Sequence, residues 1–266
     1  LPAGPDAPHE SASNIGQLLD SATVLIVVVK YPSYSQGSGF FVSDRHIVTN
    51  HHVIRDAQAG DIFVIGRGIG GVRRAGLLAK TSPAPTERDI NPDVAVLEIE
   101  PLAGQQGLKL GVTPSKLSTA YVAGFPGFLT EKDHDFTNFM TQLASAAATR
   151  NLDSLLSKAK FTPPSADLRY GRINNSIRSG SRDLPILIHD MQLAQGNSGG
   201  PLVDACGRLG GINTALFANE EGAQQGNVAQ DVSVVRDFLK ENNIPFRSEE
   251  SACNPAVASN EPPERR

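Results

Sequence analysis

The string with the clearest chemical potential is Gly196-Asn197-Ser198-Gly199-Gly200-Pro201, in which one serine stands among glycines. Glycines allow a tight turn that exposes the serine hydroxyl, and they let backbone N–H groups approach a bound carbonyl. A serine hydroxyl becomes an effective nucleophile only when a base within hydrogen-bonding distance takes its proton. The string therefore predicts acyl-transfer chemistry at Ser198, provided that a histidine and an acid accompany it.

The order of candidate residues along the chain separates two ways of building such a site. The string also fits G-x-S-x-G, the nucleophile turn of α/β-hydrolases, in which the acid and the histidine follow the serine. The six histidines, at positions 9, 46, 51, 52, 134 and 189, all precede Ser198. That interpretation is therefore excluded, and the reverse order of histidine, acid and serine is favoured.

A histidine pair and two aspartates supply the remaining candidates. His51 and His52 follow a β-rich run, and Asp93 directly precedes the apolar run 94–97. Neighbouring side chains on a strand point to opposite faces, so only one of the two histidines can face the serine. Asp89 competes with Asp93, but Asp89 falls in the preceding loop.

The elements that must position these residues are mostly short strands. β-rich segments separated by Gly, Pro, Asn and Asp run from residue 21 to about 125 and resume after 171, which indicates a barrel or a sandwich. Residues 1–14, with three prolines, predict an extended N-terminal segment, followed by a short helix at 15–20. Apolar spacing predicts a helical insertion over 131–165 and a C-terminal helix over 231–242 capped by Asp231, before a tail at 244–266.

Several motifs together resemble a known family. GSGFFVSDRHIVTNHHV, DVAVLEI, YVAGFPG, QGNSGGPLVD and GRLGGINTA, in this order, resemble a trypsin-like serine protease of the HtrA-type bacterial branch. The resemblance covers about 15–130 and 171–242. It implies a mainly β, chymotrypsin-like fold with two six-stranded antiparallel β-barrels, at about 21–110 and 117–230, within a protease domain spanning 15–243.

The resemblance also implies the roles of individual residues. The pattern T-x-x-H places the base at His52, with the acid at Asp93 and the nucleophile at Ser198. The backbone N–H groups of Gly196 and Ser198 would form the oxyanion hole. The primary pocket would be built from Gln192 near its base and from a wall of Asn213, Thr214, Ala215 and Leu216. These positions hold no carboxylate, so a small or apolar side chain is expected before the scissile bond.

Two further positions follow the same branch. Asn197 stands where digestive relatives carry an aspartate that pairs with a newly formed N-terminus. A neutral amide cannot form that ion pair, so we expect no activation by insertion of an N-terminus. Val53 stands where many digestive relatives have a cysteine. The branch implies a periplasmic or secreted bacterial protein and allows a homo-oligomer.

The two cysteines, Cys206 and Cys253, leave two interpretations open. They form one disulfide, which would indicate an oxidising compartment, or they are two separate buried thiols.

Other function classes are disfavoured. The net charge is −4, which argues against nucleic-acid partners, and the longest apolar run, 22–29, is far shorter than the roughly 20 residues of a membrane span. Residues 66–71 match G-x-G-x-x-G, but the nine residues that follow are too short for a crossover helix, so a glycine-rich turn between antiparallel strands is predicted. Metal-binding and cofactor signatures are not found, so neither a metal nor a cofactor is predicted.

Two functions remain. The first is a serine endopeptidase acting on polypeptides, and the second is a protease-like binding module without turnover. The insertion at 131–165 is interpreted either as a lid over the cleft or as a surface decoration.

Overall fold

The computed structural model describes residues 7–30, 33–82, 91–148, 154–156, 162–180, 182–218, 224–251 and 253–254. The first half forms one antiparallel sheet of β1 (Thr23–Lys30), β2 (Ser33–Phe41), β3 (His46–Thr49), β4 (Ile62–Gly66), β5 (Gly71–Arg74), β6 (Gly76–Lys80) and β7 (Ala95–Glu98). The second half forms a closed barrel of β8 (Thr119–Gly124), β9 (Asp167–Ser179), β10 (Leu184–His189), β11 (Pro201–Asp204), β12 (Leu209–Ala218) and β13 (Gln224–Asp231). The helices are α1 (Ala7–Ala22), α2 (Gly127–Thr130), α3 (His134–Ala148) and α4 (Val232–Glu241).

Strand β1 is the centre of the first sheet because both of its faces are covered. Val24, Ile26 and Val28 pack in one apolar cluster, whereas Leu25 and Val27 on the opposite face pack in another. A strand buried on both faces needs a continuous apolar run, which the sequence TVLIVVV supplies. β1 pairs with β2 on one side and with β4 on the other.

The first sheet contains seven strand segments where six strands were predicted. Its order is β5-β4-β1-β2-β3-β7-β6. Ala75 alone separates β5 from β6, and its N–H donates to the Ile62 carbonyl oxygen at 2.9 Å. One bent segment, 71–80, therefore pairs with β4 at one edge and with β7 at the other, so the sheet curls into the first half of a chymotrypsin-like fold.

The second half confirms the predicted six-stranded barrel. The strands close in the order β10-β13-β12-β11-β8-β9. The glycine-rich string 66–71 also has the predicted form, since β4 and β5 pair antiparallel on either side of it. Gly70 adopts a φ of 68° in this turn, a backbone conformation that glycine adopts without steric cost.

The N-terminal segment was predicted incorrectly. α1 begins at Ala7, not at residue 15, and residues 1–6 lie outside the described residues. Proline is tolerated in the first turn of a helix, so Pro8 does not prevent this start. Ile15, Leu19 and Ala22 are buried in the main apolar cluster, and this tertiary packing stabilises a helix that the polar composition did not predict.

The insertion is helical over α3 and residues 154–156 but not over residues 162–165, and α3 packs on the protein. Phe136, Phe139, Met140 and Leu143 are buried, and α3 contacts β1. Residues 154–156 are also helical, whereas 149–153 and 157–161 lie outside the described residues. α3 therefore joins the insertion to the main apolar cluster, which also contains Leu25 and Val27 of β1.

The C-terminal helix matches its prediction, and the chain beyond it packs on the protein as far as Cys253. The Asp231 carboxylate accepts from the Ser233 N–H at the start of α4. The Glu249 N–H donates to the Leu110 carbonyl oxygen at 2.8 Å, and Cys206 is bonded to Cys253 with the Cα atoms 5.8 Å apart. The predicted tail at 244–266 is thus packed over 244–251, and 255–266 lies outside the described residues.

No helix in the described ranges is long and apolar enough to span a bilayer.

Removing the disulfide is expected to destabilise the fold. The bond joins residues 47 positions apart, and closing such a loop is worth about 4 kcal/mol in the chain-entropy model, with 2–4 kcal/mol typical. Denaturant titration of a Cys206→Ser/Cys253→Ser double variant should show this loss. A reductant should destabilise the native protein but not the double variant, and equal midpoints for the native protein with and without reductant would contradict the bond.

His189 is expected to make folding stability sensitive to acid. It is 1% exposed, and burial lowers its pKa to about 4, with the Asp190 carboxylate opposing part of the shift. In the unfolded chain a histidine has a pKa near 6.5, so between about pH 6.5 and 4 the unfolded state binds a proton and the folded state does not. The free energy of unfolding should therefore decrease as the pH is lowered through that range, by about 3 kcal/mol at its lower end.

The test compares the free energy of unfolding in urea at about pH 7, above the range in which His189 destabilises the folded state, and at about pH 4.5, near the lower end of that range. His189→Gln should show a smaller difference between the two conditions, whereas His134→Gln, at an exposed position, should behave like the native protein. An unchanged difference in His189→Gln would refute the assignment.

Candidate active site

His52 and Asp93 are in direct contact. His52 Nδ1 lies 2.5 Å from Asp93 Oδ2, and the His52 backbone N–H donates to Asp93 Oδ1 at 2.9 Å. The Asp93 side chain is 3% exposed and that of His52 31%. The carboxylate is thus shielded from solvent while the imidazole reaches the surface, which is the arrangement that orients an imidazole for proton transfer. Asp89 lies outside the described residues.

The side chains of His51 and His52 point in different directions, but not because they alternate on a strand, as the sequence predicted. Both belong to a 3-10 turn, His51–Ile54, that follows β3, rather than to a strand. Three residues complete one turn of a 3-10 helix, so successive side chains point about 120° apart. The His51 side chain is buried, and its pKa is lowered first by burial and then by the Lys80 charge.

Asp93 is fixed by residues that the sequence analysis did not identify. The Asn50 amide donates to the Asp93 carbonyl oxygen at 2.7 Å, and the Asp93 N–H donates to Gln230 Oε1 at 3.0 Å. Gln230 Nε2 in turn donates to the Asn91 carbonyl oxygen at 2.8 Å. Asn50 stands two positions before His52, which is a weak signal, and Gln230 is too distant along the chain to give any.

Ser198 lies on the loop between β10 and β11 of the second barrel, and this loop is bonded to the first sheet. Its carbonyl oxygen accepts from the Ser38 N–H at 2.8 Å, and its Oγ lies 3.4 Å from the Thr214 carbonyl oxygen, a long hydrogen bond. Thr214 Oγ1 accepts from Asn50 Nδ2 at 3.1 Å. Thr214 therefore bridges the serine loop and the segment that carries His52.

The candidate oxyanion donors are backbone N–H groups of the same loop. Within the described part of the chain, neither the Gly196 nor the Ser198 N–H donates to a protein acceptor. The Gly196 carbonyl oxygen accepts from Ser38 Oγ at 2.7 Å, and the preceding Gln195 carbonyl oxygen accepts from the Gly127 N–H at 2.9 Å. These bonds occupy the carbonyl groups and leave the two N–H groups available to a ligand.

Two glycines of the loop are required by close packing and backbone conformation. Gly196 has a φ of 102°, and a Cβ there would lie 2.9 Å from the Gly127 nitrogen. Gly199 has a φ of 86°, and a Cβ there would collide with the Ser38 carbonyl oxygen and Thr49 Oγ1. The glycines thus let the serine loop lie directly against the first sheet.

The residues predicted for the primary pocket are found in different surroundings. Asn213 is fully buried and donates to the Pro201 carbonyl oxygen at 3.2 Å. Gln192 is exposed, with its side-chain oxygen 3.5 Å from an Arg169 nitrogen. The side chains of Ala215 and Leu216 lie outside the described residues.

Asn197, next to the candidate nucleophile, is buried. It is 4% exposed, and its Oδ1 has no hydrogen-bond partner within the described residues.

Among the described residues, the group with metal-ligating atoms close together is Asp204, Cys206 and Cys253, and both sulfurs belong to the disulfide.

Comparison with known proteins gives a consistent result. The trypsin-like peptidase domain family matches residues 37–212. The magnetosome formation protease MamE of Magnetospirillum gryphiswaldense is 29% identical over 183 residues, covering 68% of this chain and 19% of that protein. The chloroplastic Protease Do-like 1 of Arabidopsis thaliana is 29% identical over 202 residues, covering 72% of this chain and 36% of that protein. The chain thus spans well under half the length of these relatives.

Solved structures share the fold. A serine endoprotease from Yersinia pestis matches with a TM-score of 0.61 and 22% identity, over 91% of this chain and 67% of that chain. The HtrA-type protease AlgW with a tripeptide matches with a TM-score of 0.60 and 22% identity, over 86% of this chain and 62% of that chain. With the family match over residues 37–212 and a His52–Asp93 pair beside the Ser198 loop, the chain belongs to the trypsin-like peptidase family, and it is similar to HtrA-type and Do-like proteases.

Proposed function

We propose that the protein is a serine endopeptidase that cleaves polypeptides with Ser198, His52 and Asp93. The observation that carries this proposal is the His52–Asp93 contact of 2.5 Å beside a serine loop that is bonded to the first sheet. Family membership supports a protease, and the geometry supports the assignment of these three residues.

In the proposed reaction, His52 takes the proton of Ser198 as the serine oxygen attacks the peptide carbonyl carbon. Asp93, acting through Nδ1, keeps the other ring nitrogen available and stabilises the imidazolium. The tetrahedral intermediate collapses to an acyl-enzyme when the C–N bond breaks, and His52 returns its proton to the leaving amine. Water then attacks the ester by the same route, which releases the acid and restores the serine.

The oxyanion of each tetrahedral intermediate would be bound by the N–H groups of Gly196 and Ser198. Both groups are without a protein acceptor in the described residues, and the bonds to Ser38 and Gly127 fix the adjacent carbonyl groups. One such donor is typically worth about 2.7–4 kcal/mol of transition-state stabilisation.

For the residue before the scissile bond, we propose a small or apolar side chain. The segment 213–216 carries no carboxylate, so a lysine or arginine would lack a counter-ion there. The Asn213 side chain is buried and Thr214 is half-buried, while Gln192, proposed near the base of this pocket, is exposed. Asn197 is neutral and buried, which supports a site that forms without an inserted N-terminus.

We propose an oxidising location, the periplasm or the cell exterior. The Cys206–Cys253 bond supports it, because disulfides are rare in reducing compartments.

Labelling with a fluorophosphonate should distinguish an enzyme from a binding module. The native protein should take up one label per chain at Ser198, mapped by mass spectrometry, because His52 activates that hydroxyl. Ser198→Ala should take up none, while Ser43→Ala, which changes a serine near the first sheet's surface, should label normally. A folded native protein that is neither labelled nor able to cleave peptides would establish the binding module instead.

Replacing Asp93 by asparagine should lower kcat by about 10⁴-fold at near-constant structure, because the amide favours the wrong imidazole tautomer. Asp44→Asn, at a half-exposed loop aspartate, is the matched control and should keep native turnover. Peptide kinetics together with circular dichroism test this. A folded Asp93→Asn protein with native kcat would contradict the role of Asp93.

A further inference from the structure

A second cleft adjoins the candidate oxyanion loop. This cavity, of about 570 Å³, is bounded by the start of β2, by the α2 segment and by residues 194–196 just before Ser198. Its walls include Tyr34, Gln36, Phe128, Glu131 and Gln195. The cavity also reaches Gly196, the residue proposed above as an oxyanion donor.

Glu131 is directed into this cleft. Its Oε1 lies 3.8 Å from the position of a Cβ on Gly127, the residue whose N–H donates to Gln195. Among the described residues, no lysine, arginine or histidine forms an ion pair with this carboxylate. The pKa of the Tyr34 hydroxyl is raised, first by burial and then by the negative charge of Glu131. The cleft therefore holds one carboxylate without a counter-ion.

The remaining walls suit a long cationic side chain. Phe128, in α2, is 47% exposed, and Tyr34, in β2, is half-buried; both line the cavity. Aromatic rings bind the methylene stems and the charged ends of lysine and arginine, and a carboxylate completes the site. The turn is held in place because Gln36 Nε2 donates to Thr130 Oγ1 at 2.8 Å.

The position of the cleft identifies the part of the substrate that enters it. The proposed pocket wall along β12 takes the residue before the scissile bond, and Thr214 lies on that side of Ser198. The cleft is lined instead by residues 34–36, by Gly127, Phe128 and Glu131, and by residues 194–196, and none of residues 213–216 lines it. A chain bound across Ser198 would therefore place the residues after the scissile bond against Glu131.

We propose that this cleft is a specificity subsite for a lysine or arginine within two residues after the scissile bond, with Glu131 as the counter-ion and Phe128 and Tyr34 as walls. The proposal rests on the proposed endopeptidase function. It implies that polypeptide substrates are selected by an apolar residue before the bond and a basic one after it.

Peptide cleavage tests the subsite. Matched quenched-fluorescence peptides carry arginine, glutamine or glutamate at the first or second position after the scissile bond. The native protein should cleave the arginine peptides with a kcat/KM about fivefold higher than that of the glutamine peptides, because a partly exposed ion pair changes an equilibrium by up to about this factor. Added salt should reduce the preference, because it screens the ion pair. Glu131→Gln should abolish the preference without changing cleavage of the glutamine peptides, and Glu131→Lys should favour glutamate.

Asp135→Asn is the matched control, because Asp135 is an exposed acid of the same insertion that does not line the cleft. It should keep the native preference. A preference that persists in Glu131→Gln, or an absent preference in an active native protein, would overturn the subsite while leaving the protease function intact.

If no peptide is cleaved, the endopeptidase proposal fails, and the subsite is then tested by binding. Fluorescence anisotropy with Ser198→Ala should show about fivefold tighter binding of the arginine peptide than of the glutamine peptide, and Glu131→Gln should remove the difference. Equal binding of the two peptides would overturn the subsite itself.

Discussion

One buried serine in the first sheet determines where the candidate nucleophile lies. The Ser38 N–H donates to the Ser198 carbonyl oxygen at 2.8 Å, and Ser38 Oγ donates to the Gly196 carbonyl oxygen at 2.7 Å and accepts from the Phe125 N–H at 2.9 Å. Thr49 Oγ1 donates to the Ser38 carbonyl oxygen at 2.7 Å. Through this single residue, the loop of the second barrel is fixed against the strand that leads to His52. Because Ser38 is fully buried, these bonds are not exchanged with water.

The acid is held across the same boundary. Asp93 belongs to the first half of the chain, yet its N–H is bound by Gln230 of β13 in the second barrel. Asn50 similarly connects the Asp93 carbonyl oxygen to Thr214 of β12. The site is therefore assembled from both halves, and neither half contains the complete arrangement. The side chains of Asn50 and Gln230 are buried at this boundary, and the bonds that they form across it offset the cost of burying their amide groups.

The sequence predicted the parts of the fold that local patterns determine. Turn residues and β-branched runs indicated a barrel or a sandwich. The resemblance of several motifs implied the closed second barrel and selected His52, the histidine that contacts Asp93. Features that depend on contacts between residues far apart in the chain could not be predicted from the sequence. α1 begins at Ala7 because the body of the protein buries its apolar face, and Gln230 reaches the site only through strand pairing. The exposure of Gln192 depends on the course of a loop that no periodic pattern describes.

The bend at Ala75 has a consequence for solubility. It divides one segment into β5 and β6, which form the two edges of the first sheet and are only four and five residues long. Long, flat edges offer unpaired backbone groups to other chains, whereas short edges with charged side chains resist intermolecular strand pairing. β5 ends in Arg73 and Arg74, and β6 ends in Lys80, so both margins carry positive charge. The same bend that shapes the sheet thereby protects the folded chain from growing into intermolecular sheets.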